Sequence, residues 1–106
     1  MNFNEYQKEA LKTAIFPNEM AITYPALGLA GETGEVMEKI KKMYRDNLPF
    51  DTVRHQMAAE LGDVLWYVAV LADAFDIPLQ DIVTANVMKL RSRYDRGVIS
   101  GSGDDR

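Results

Sequence analysis

One apolar stretch leaves this chain few ways to fold: AAELGDVLWYVAVLA, which runs from Ala58 to Ala72. Two acidic residues, Glu60 and Asp63, are set into it three positions apart. On an α-helix this spacing places both carboxylates on one side, within a segment whose other residues favour burial. An ionised carboxylate in apolar surroundings costs free energy unless a positive charge compensates it. The stretch therefore predicts a buried helix that carries part of a cation site.

A second acidic pair with the same spacing lies upstream, in LGLAGETGEVMEKIKK. The 24 residues between Glu35 and Glu60 allow the two helices to run antiparallel. If they pack face to face, the carboxylates of Glu32, Glu35, Glu60 and Asp63 converge. Oxygen ligands without histidine or cysteine nearby favour a hard cation, so we expect Mg²⁺, with Mn²⁺ as a substitute.

Length and composition restrict the class of protein. With 106 residues the chain predicts a single domain, 1–106. Its net charge of -4 argues against a nucleic-acid polymer as partner, because phosphates require a basic surface. The absence of cysteine excludes disulfides and thiolate zinc sites. The polar start MNFNEYQKEA lacks the features of a signal peptide, and acidic residues interrupt the longest apolar run, so we expect a cytoplasmic protein without a membrane span.

Helical periodicity predicts an all-α, four-helix bundle-like protomer. The expected helices span about residues 3–15, 25–45, 52–75 and 78–95, and 97–106 form an irregular tail. Asn4 and Gln7 resemble a capping box for the first helix, and Pro17 ends it. The segment 17–24 reads as a loop. Pro25 suits the first turn of the second helix, and Asp51 is expected to cap the third.

The third helix is apolar nearly all round and must be covered on more than one side. Tyr44, Phe50 and Val87 add apolar surface that a monomer would leave wet. We therefore expect a homo-oligomer, a tetramer built as a dimer of dimers or otherwise a dimer.

Three glycines in the second helix, Gly28, Gly31 and Gly34, each weaken a helix by about 1 kcal/mol relative to alanine. Their presence beside two glutamates predicts that another helix or a ligand approaches the backbone closely. The alternative is a kinked or frayed helix start.

Several other side chains are candidates for binding a substrate. The bases could pair with phosphates or be ordinary solvated charges; they are Lys39, Lys42, Lys89 and Arg93. Trp66 and Tyr67 could stack on a base or belong to the core, and Asn86 could bond a base or sugar. His55, the sole histidine, is expected to lie at the surface.

The two acidic motifs resemble those of the MazG-like all-α nucleoside triphosphate pyrophosphohydrolases, whose pattern is E-x-x-E, a spacer of about two dozen residues, then E-x-x-D. Here these are 32–35 and 60–63. YPALGLAGETGEV, ELGDVLWYVAVLA, the N-x-x-K-L segment and RGVISGSGDDR are also similar to compact members. The resemblance implies hydrolysis of a nucleoside triphosphate between its α and β phosphates, with Mg²⁺ on the four carboxylates, which would also be the catalytic residues. Members act as dimers or tetramers.

Other readings of the acidic pairs remain open. A carboxylate-bridged di-iron bundle normally contains Glu-x-x-His, which this chain lacks. A noncatalytic helical interaction module with solvated acidic faces is the alternative, and it should gain no thermal stability from Mg²⁺. Within the enzymatic reading, either Glu32 or Glu35 could accept the proton of the attacking water.

Overall fold

A computed structural model describes all residues, 1–106, and contains four α-helices and no strand. The helices are α1 (Phe3–Leu11), α2 (Thr23–Arg45), α3 (Phe50–Ala74) and α4 (Leu79–Asp95), with a short 3-10 helix at Asn18–Met20 between α1 and α2. The all-α prediction is confirmed. None of these helices combines the length and the apolar character needed to cross a membrane.

The prediction that α1 begins near residue 3 is confirmed, but its predicted capping box was wrong. Asn2, not Asn4, caps the helix: its side chain accepts from the Glu5 backbone N–H, and the Glu5 carboxylate accepts from the Asn2 backbone N–H. The helix also ends at Leu11, before the expected position. The capping box therefore exists two residues earlier than the sequence pattern indicated.

Asn4 and Gln7 serve the start of α4 instead. The Gln7 side-chain oxygen accepts from the Leu79 N–H at 3.0 Å, and Asn4 Oδ1 accepts from the Gln80 N–H at 3.1 Å. The first backbone N–H groups of a helix have no partner within it, so α1 supplies the caps that α4 lacks. Gln7 Nε2 also donates to the carbonyls of Ala69 and Ile77.

The beginnings of α2 and α3 differ from the prediction as well. α2 begins at Thr23, so the end of the expected loop is helical, although Pro25 lies in the first turn as predicted. α3 begins at Phe50 after Pro49, and no side chain caps it. Asp51 is thus not a cap; it lies in the first turn, where a negative charge interacts favourably with the helix dipole.

α2 and α3 form an antiparallel hairpin with the most extensive helix packing in the chain. A short turn through Asn47, which adopts a positive φ of 51°, joins them. The apolar stripe predicted for α2 is half-buried along its length; it comprises Leu29, Val36, Ile40 and Met43. A smaller core of Ala10, Ala69, Val70 and Leu79 forms where α1, α3 and α4 meet.

The protomer is open. Only 9 of its 106 residues are buried, and its radius of gyration is 16.6 Å, compared with about 13 Å for a compact chain of similar length. Apolar side chains of α3 that were expected to be covered are exposed by 52% at Leu61 and 38% at Leu65. One copy of the chain does not cover its central helix.

The tail that follows α4 is irregular, as predicted, but it is held in place. The Arg106 guanidinium donates to the backbone carbonyls of Val98, Ile99 and Gly103. Gly97, Gly101 and Gly103 take positive φ values that allow the chain to turn back.

Of the three glycines in α2, Gly28 alone has a close neighbour. A Cβ atom at this position would overlap the ring of Tyr67 on α3, whereas Gly31 and Gly34 have no atom within 4 Å of theirs. The predicted close approach is therefore confirmed at Gly28, and the neighbour is a helix.

We expect Gly28→Ala to destabilise the fold by about 1–3 kcal/mol, because the methyl group forces the Tyr67 ring out of its packing position. Gly31→Ala is the matched control: with open space around it, it should stabilise by up to about 1 kcal/mol through helix propensity. Urea unfolding followed by circular dichroism measures both. Equal effects of the two substitutions would contradict the packing role of Gly28.

Candidate functional site

Three of the four predicted carboxylates come together between α2 and α3. Glu32 on α2 and Glu60 and Asp63 on α3 each place one oxygen so that all three lie within 4.8 Å of one another. Glu60 and Asp63 are three residues apart and therefore share one side of α3. The helix hairpin thus brings together acidic groups that are distant in sequence.

This donor set suits a hard divalent cation. Mg²⁺ takes oxygen ligands at 2.0–2.1 Å in octahedral geometry and usually keeps several waters. Three carboxylates from two helices leave room for water and substrate oxygens.

Glu35 lies beside this group rather than within it. Its carboxylate is 4.0 Å from the ammonium of Lys39, and that ammonium is 3.3 Å from Glu60 Oε1. The side chain of Glu35 is 56% exposed and that of Glu60 17%. Lys39 therefore links the predicted fourth ligand to the cluster.

The crowding of negative charge changes the titration of Glu32. A side-chain hydrogen bond with Glu60 raises the pKa of Glu32 above its usual value, and burial and the charge of Asp63 act in the same direction. A proton shared between two carboxyl groups is favourable when no cation is present, because it removes one of the repelling charges.

An aromatic cleft of about 370 Å³ adjoins the carboxylates. It is lined by Thr13, Glu32, Asp63, Trp66 and Tyr67. The two aromatic rings meet edge to face with centroids 5.0 Å apart. Trp66 Nε1 donates to Thr13 Oγ1 at 2.9 Å, and Thr13 Oγ1 donates to the Ala10 carbonyl. The structure thus places Trp66 beside the acidic group.

A second cleft of about 260 Å³ continues from the first, since Thr13 and Trp66 line both. Phe16 and Tyr24, whose rings stack at a centroid distance of 4.6 Å, form its other wall. Burial raises the pKa of Tyr67, with a smaller contribution from Tyr24.

Sequence reasoning considered Tyr67, together with Trp66, as a possible base contact, but it did not identify Thr13, Phe16 or Tyr24 as lining residues. Gly28 was a signal for Tyr67, because a glycine within a helix indicates that a bulky neighbour needs the space. The segment that carries Thr13 and Phe16 lies in the connection that was read as the end of a helix and a loop, and no spacing rule indicates where such a connection turns.

The other residues that were predicted to bind substrate differ from one another in their surroundings. Lys42 is exposed, and Asn86 lies on the exposed part of α4. Lys89 and Arg93 do not pair with the acidic cluster of their own chain; Asp104 of the tail lies 3.8 Å from the Lys89 ammonium and 3.4 Å from Arg93 Nη2. Arg93 is buried, and its Nη2 also donates to the Asp104 carbonyl at 2.8 Å.

His55 is exposed, as predicted.

Comparisons with known proteins show the family to which the chain is similar. A family model described as the MazG nucleotide pyrophosphohydrolase domain matches residues 23–98, which include α2, α3, α4 and all four acidic positions. The Gene 37 protein of Mycobacterium phage L5 is 45% identical over 114 residues, an alignment that covers 100% of both chains. No solved structure matches the chain.

The raised pKa of Glu32 gives a prediction for stability. A carboxyl group whose pKa is higher in the folded state stabilises the fold at low pH, and this contribution is lost as pH rises through the folded pKa. Glu32→Gln should therefore raise Tm at pH 7.5 in EDTA, and the gain should shrink towards pH 4. Thermal melts at both pH values test it.

Glu38→Gln is the matched control, since Lys41 lowers the pKa of the exposed Glu38 carboxyl. That pair stabilises above the unfolded pKa and loses its effect in acid, so the control should not raise Tm at pH 7.5. A Glu32→Gln variant that melts below the parent at pH 7.5 would show that the carboxylates are not in mutual repulsion.

Proposed function

This chain belongs to the MazG nucleotide pyrophosphohydrolase family, and we propose that it is a Mg²⁺-dependent hydrolase that cleaves a nucleoside or deoxynucleoside triphosphate between the α and β phosphates. The products are the monophosphate and pyrophosphate. The observation that carries this proposal is the convergence of Glu32, Glu60 and Asp63 beside an aromatic cleft.

The four carboxylates are proposed to hold the metal. Glu32, Glu60 and Asp63 are already grouped, and Glu35 lies one helical turn from Glu32 on α2. A bound divalent cation, with Mn²⁺ as a possible substitute, supplies activation of the attacking water and charge neutralisation for the leaving pyrophosphate. No protein nucleophile is then required.

Glu32 or Glu35 accepts the proton of the water in this proposal. Glu32 is one of the three grouped carboxylates, so it could reach a water held beside them. Glu35 is exposed and close to the group, so it could also reach a water. The two residues lie on the same face of α2, and the water would approach from that side.

The aromatic cleft is the proposed nucleotide subsite. Trp66 would contact the base, while its Nε1–H is fixed by Thr13. Lys39 and Lys42 continue the acidic face of α2 and could bind phosphate oxygens, which a flexible lysine does as a compact point charge. Asn86, Lys89 and Arg93 are also proposed to bind substrate, and they lie on α4.

Self-association would complete this arrangement. An apolar groove of about 360 Å³ lies open between α2 and α3; it is lined by Ile40, Met43, Phe50, Val53, Arg54, Met57, Ala58 and Leu61. Apolar side chains of α4 are also exposed, including Val87 at 50%. Surfaces of this kind mark interfaces. We propose a homotetramer, otherwise a dimer, in which α4 of one copy approaches the site of another.

Turnover in ¹⁸O-labelled water tests the reaction. Attack at the α phosphorus should place the label in the monophosphate, and Glu60→Gln should lower kcat by at least about 100-fold, because it removes a charge that holds the metal. Glu38→Gln, on the exposed side of α2, should retain activity. Label in pyrophosphate or inorganic phosphate would overturn the regiochemistry, and full activity of Glu60→Gln would overturn the metal assignment.

Light scattering at micromolar concentration tests the assembly. The parent should have the mass of a tetramer or dimer, and Phe50→Asp should reduce it, because a buried unpaired charge in an apolar interface is costly. Thr52→Asp adds the same charge at an exposed position outside the groove and should leave the mass unchanged. A monomeric parent with full activity would rule the assembly out.

A further inference from the structure

Lys39 is the cation nearest to the acidic cluster. Its ammonium lies 3.3 Å from Glu60 Oε1 and 4.0 Å from Glu35 Oε2, and its side chain is 26% exposed. The other lysine pairs along the helices, Lys12 with Glu9 and Lys41 with Glu38, are exposed by about half or more. The Lys39–Glu60 contact also joins two different helices, so it is not an accident of helical spacing.

Lys39 pairs with a carboxylate that a bound metal would also use. Glu60 belongs both to this ion pair and to the group of three carboxylates that can hold a cation. Two positive charges a few Å apart repel strongly where water is partly excluded, and Glu60 is only 17% exposed. The ammonium and a divalent cation therefore compete for the Glu60 carboxylate.

We propose that Lys39 is the internal counter-ion of the metal-free site, and that a divalent cation displaces its ammonium from Glu60 and frees it to bind a phosphoryl oxygen of the nucleotide. This inference rests on the proposed function, because it concerns the same metal and the same substrate. No covalent bond is made or broken; one ion pair is exchanged for another.

The chain provides a place for the displaced ammonium. Lys39 shares its face of α2 with Glu32 and Glu35 on one side and with Lys42 on the other, at steps of three and four residues. Lys42 is exposed and forms no ion pair. The four-carbon stem of Lys39 can turn towards Lys42. The two ammonium groups would then face the phosphate groups of the nucleotide that extend beyond the metal.

This exchange couples the two ligands. A metal must overcome the Lys39–Glu60 pair before it binds, and a nucleotide finds Lys39 available only after the metal has arrived. Such coupling is reciprocal, so each ligand raises the affinity for the other. Substitution of Lys39 should therefore move the affinities for the metal and for the nucleotide in opposite directions.

The test measures Mn²⁺ binding directly, by electron paramagnetic resonance of the free ion and without nucleotide. Lys39→Met should bind Mn²⁺ about tenfold more tightly than the parent, which corresponds to about 1.4 kcal/mol. Lys41→Met is the matched control: it removes the same charge from the same helix at a distance from the cluster, and its affinity should stay within about twofold. Lys39→Arg keeps the charge and should remain near the parent.

The second arm uses a non-hydrolysable α,β-methylene nucleoside triphosphate at saturating Mn²⁺. Lys39→Met should bind this analogue about tenfold more weakly, and Lys41→Met should bind it normally. If the parent binds Mn²⁺ but Lys39→Met gains no affinity, the exchange is overturned and the proposed function stands. If none of the proteins binds Mn²⁺, the metal site and the exchange fail together.

Discussion

The mutual repulsion of carboxylates is the constraint on which the site depends. Glu32, Glu60 and Asp63 can be held within 4.8 Å of one another only because the packing of α2 against α3 supplies the free energy to oppose their charges. The Tyr67 ring packs against Gly28, and a side chain on Gly28 would force this ring out of its packing position. Without a bound cation, the Lys39 ammonium offsets part of this negative charge.

Much of the fold and part of the site could be predicted from the sequence because they depend on periodicity. The spacing of apolar residues indicated four helices, and the three-residue spacing of the acidic pairs indicated which side of each helix carries them. Helix ends were less predictable: Asn2 caps α1 where Asn4 was expected, because both positions have suitable residues and the choice depends on contacts with α4.

Tertiary contacts account for the parts that the sequence did not indicate. Arg93 is buried against the tail through Asp104, although its pattern on α4 suggested an exposed base. Glu35 lies outside the group of three and is linked to it through Lys39, which is close to both Glu35 and Glu60; no spacing rule along one helix can anticipate this interhelical contact. The exposed apolar groove, in contrast, agrees with the prediction that α3 needs more cover than one chain provides.

The hydrogen bonds of the Gln7 side chain make the fold sensitive to the chemical state of its amide. Its amide donates to the Ala69 and Ile77 carbonyls and accepts from the Leu79 N–H, so it needs both an NH₂ group and an oxygen. Deamidation would replace the donor with a second acceptor, which would face the Ala69 carbonyl at about 3.0 Å and repel it. The contact between α1 and the start of α4 thus requires the intact amide of Gln7.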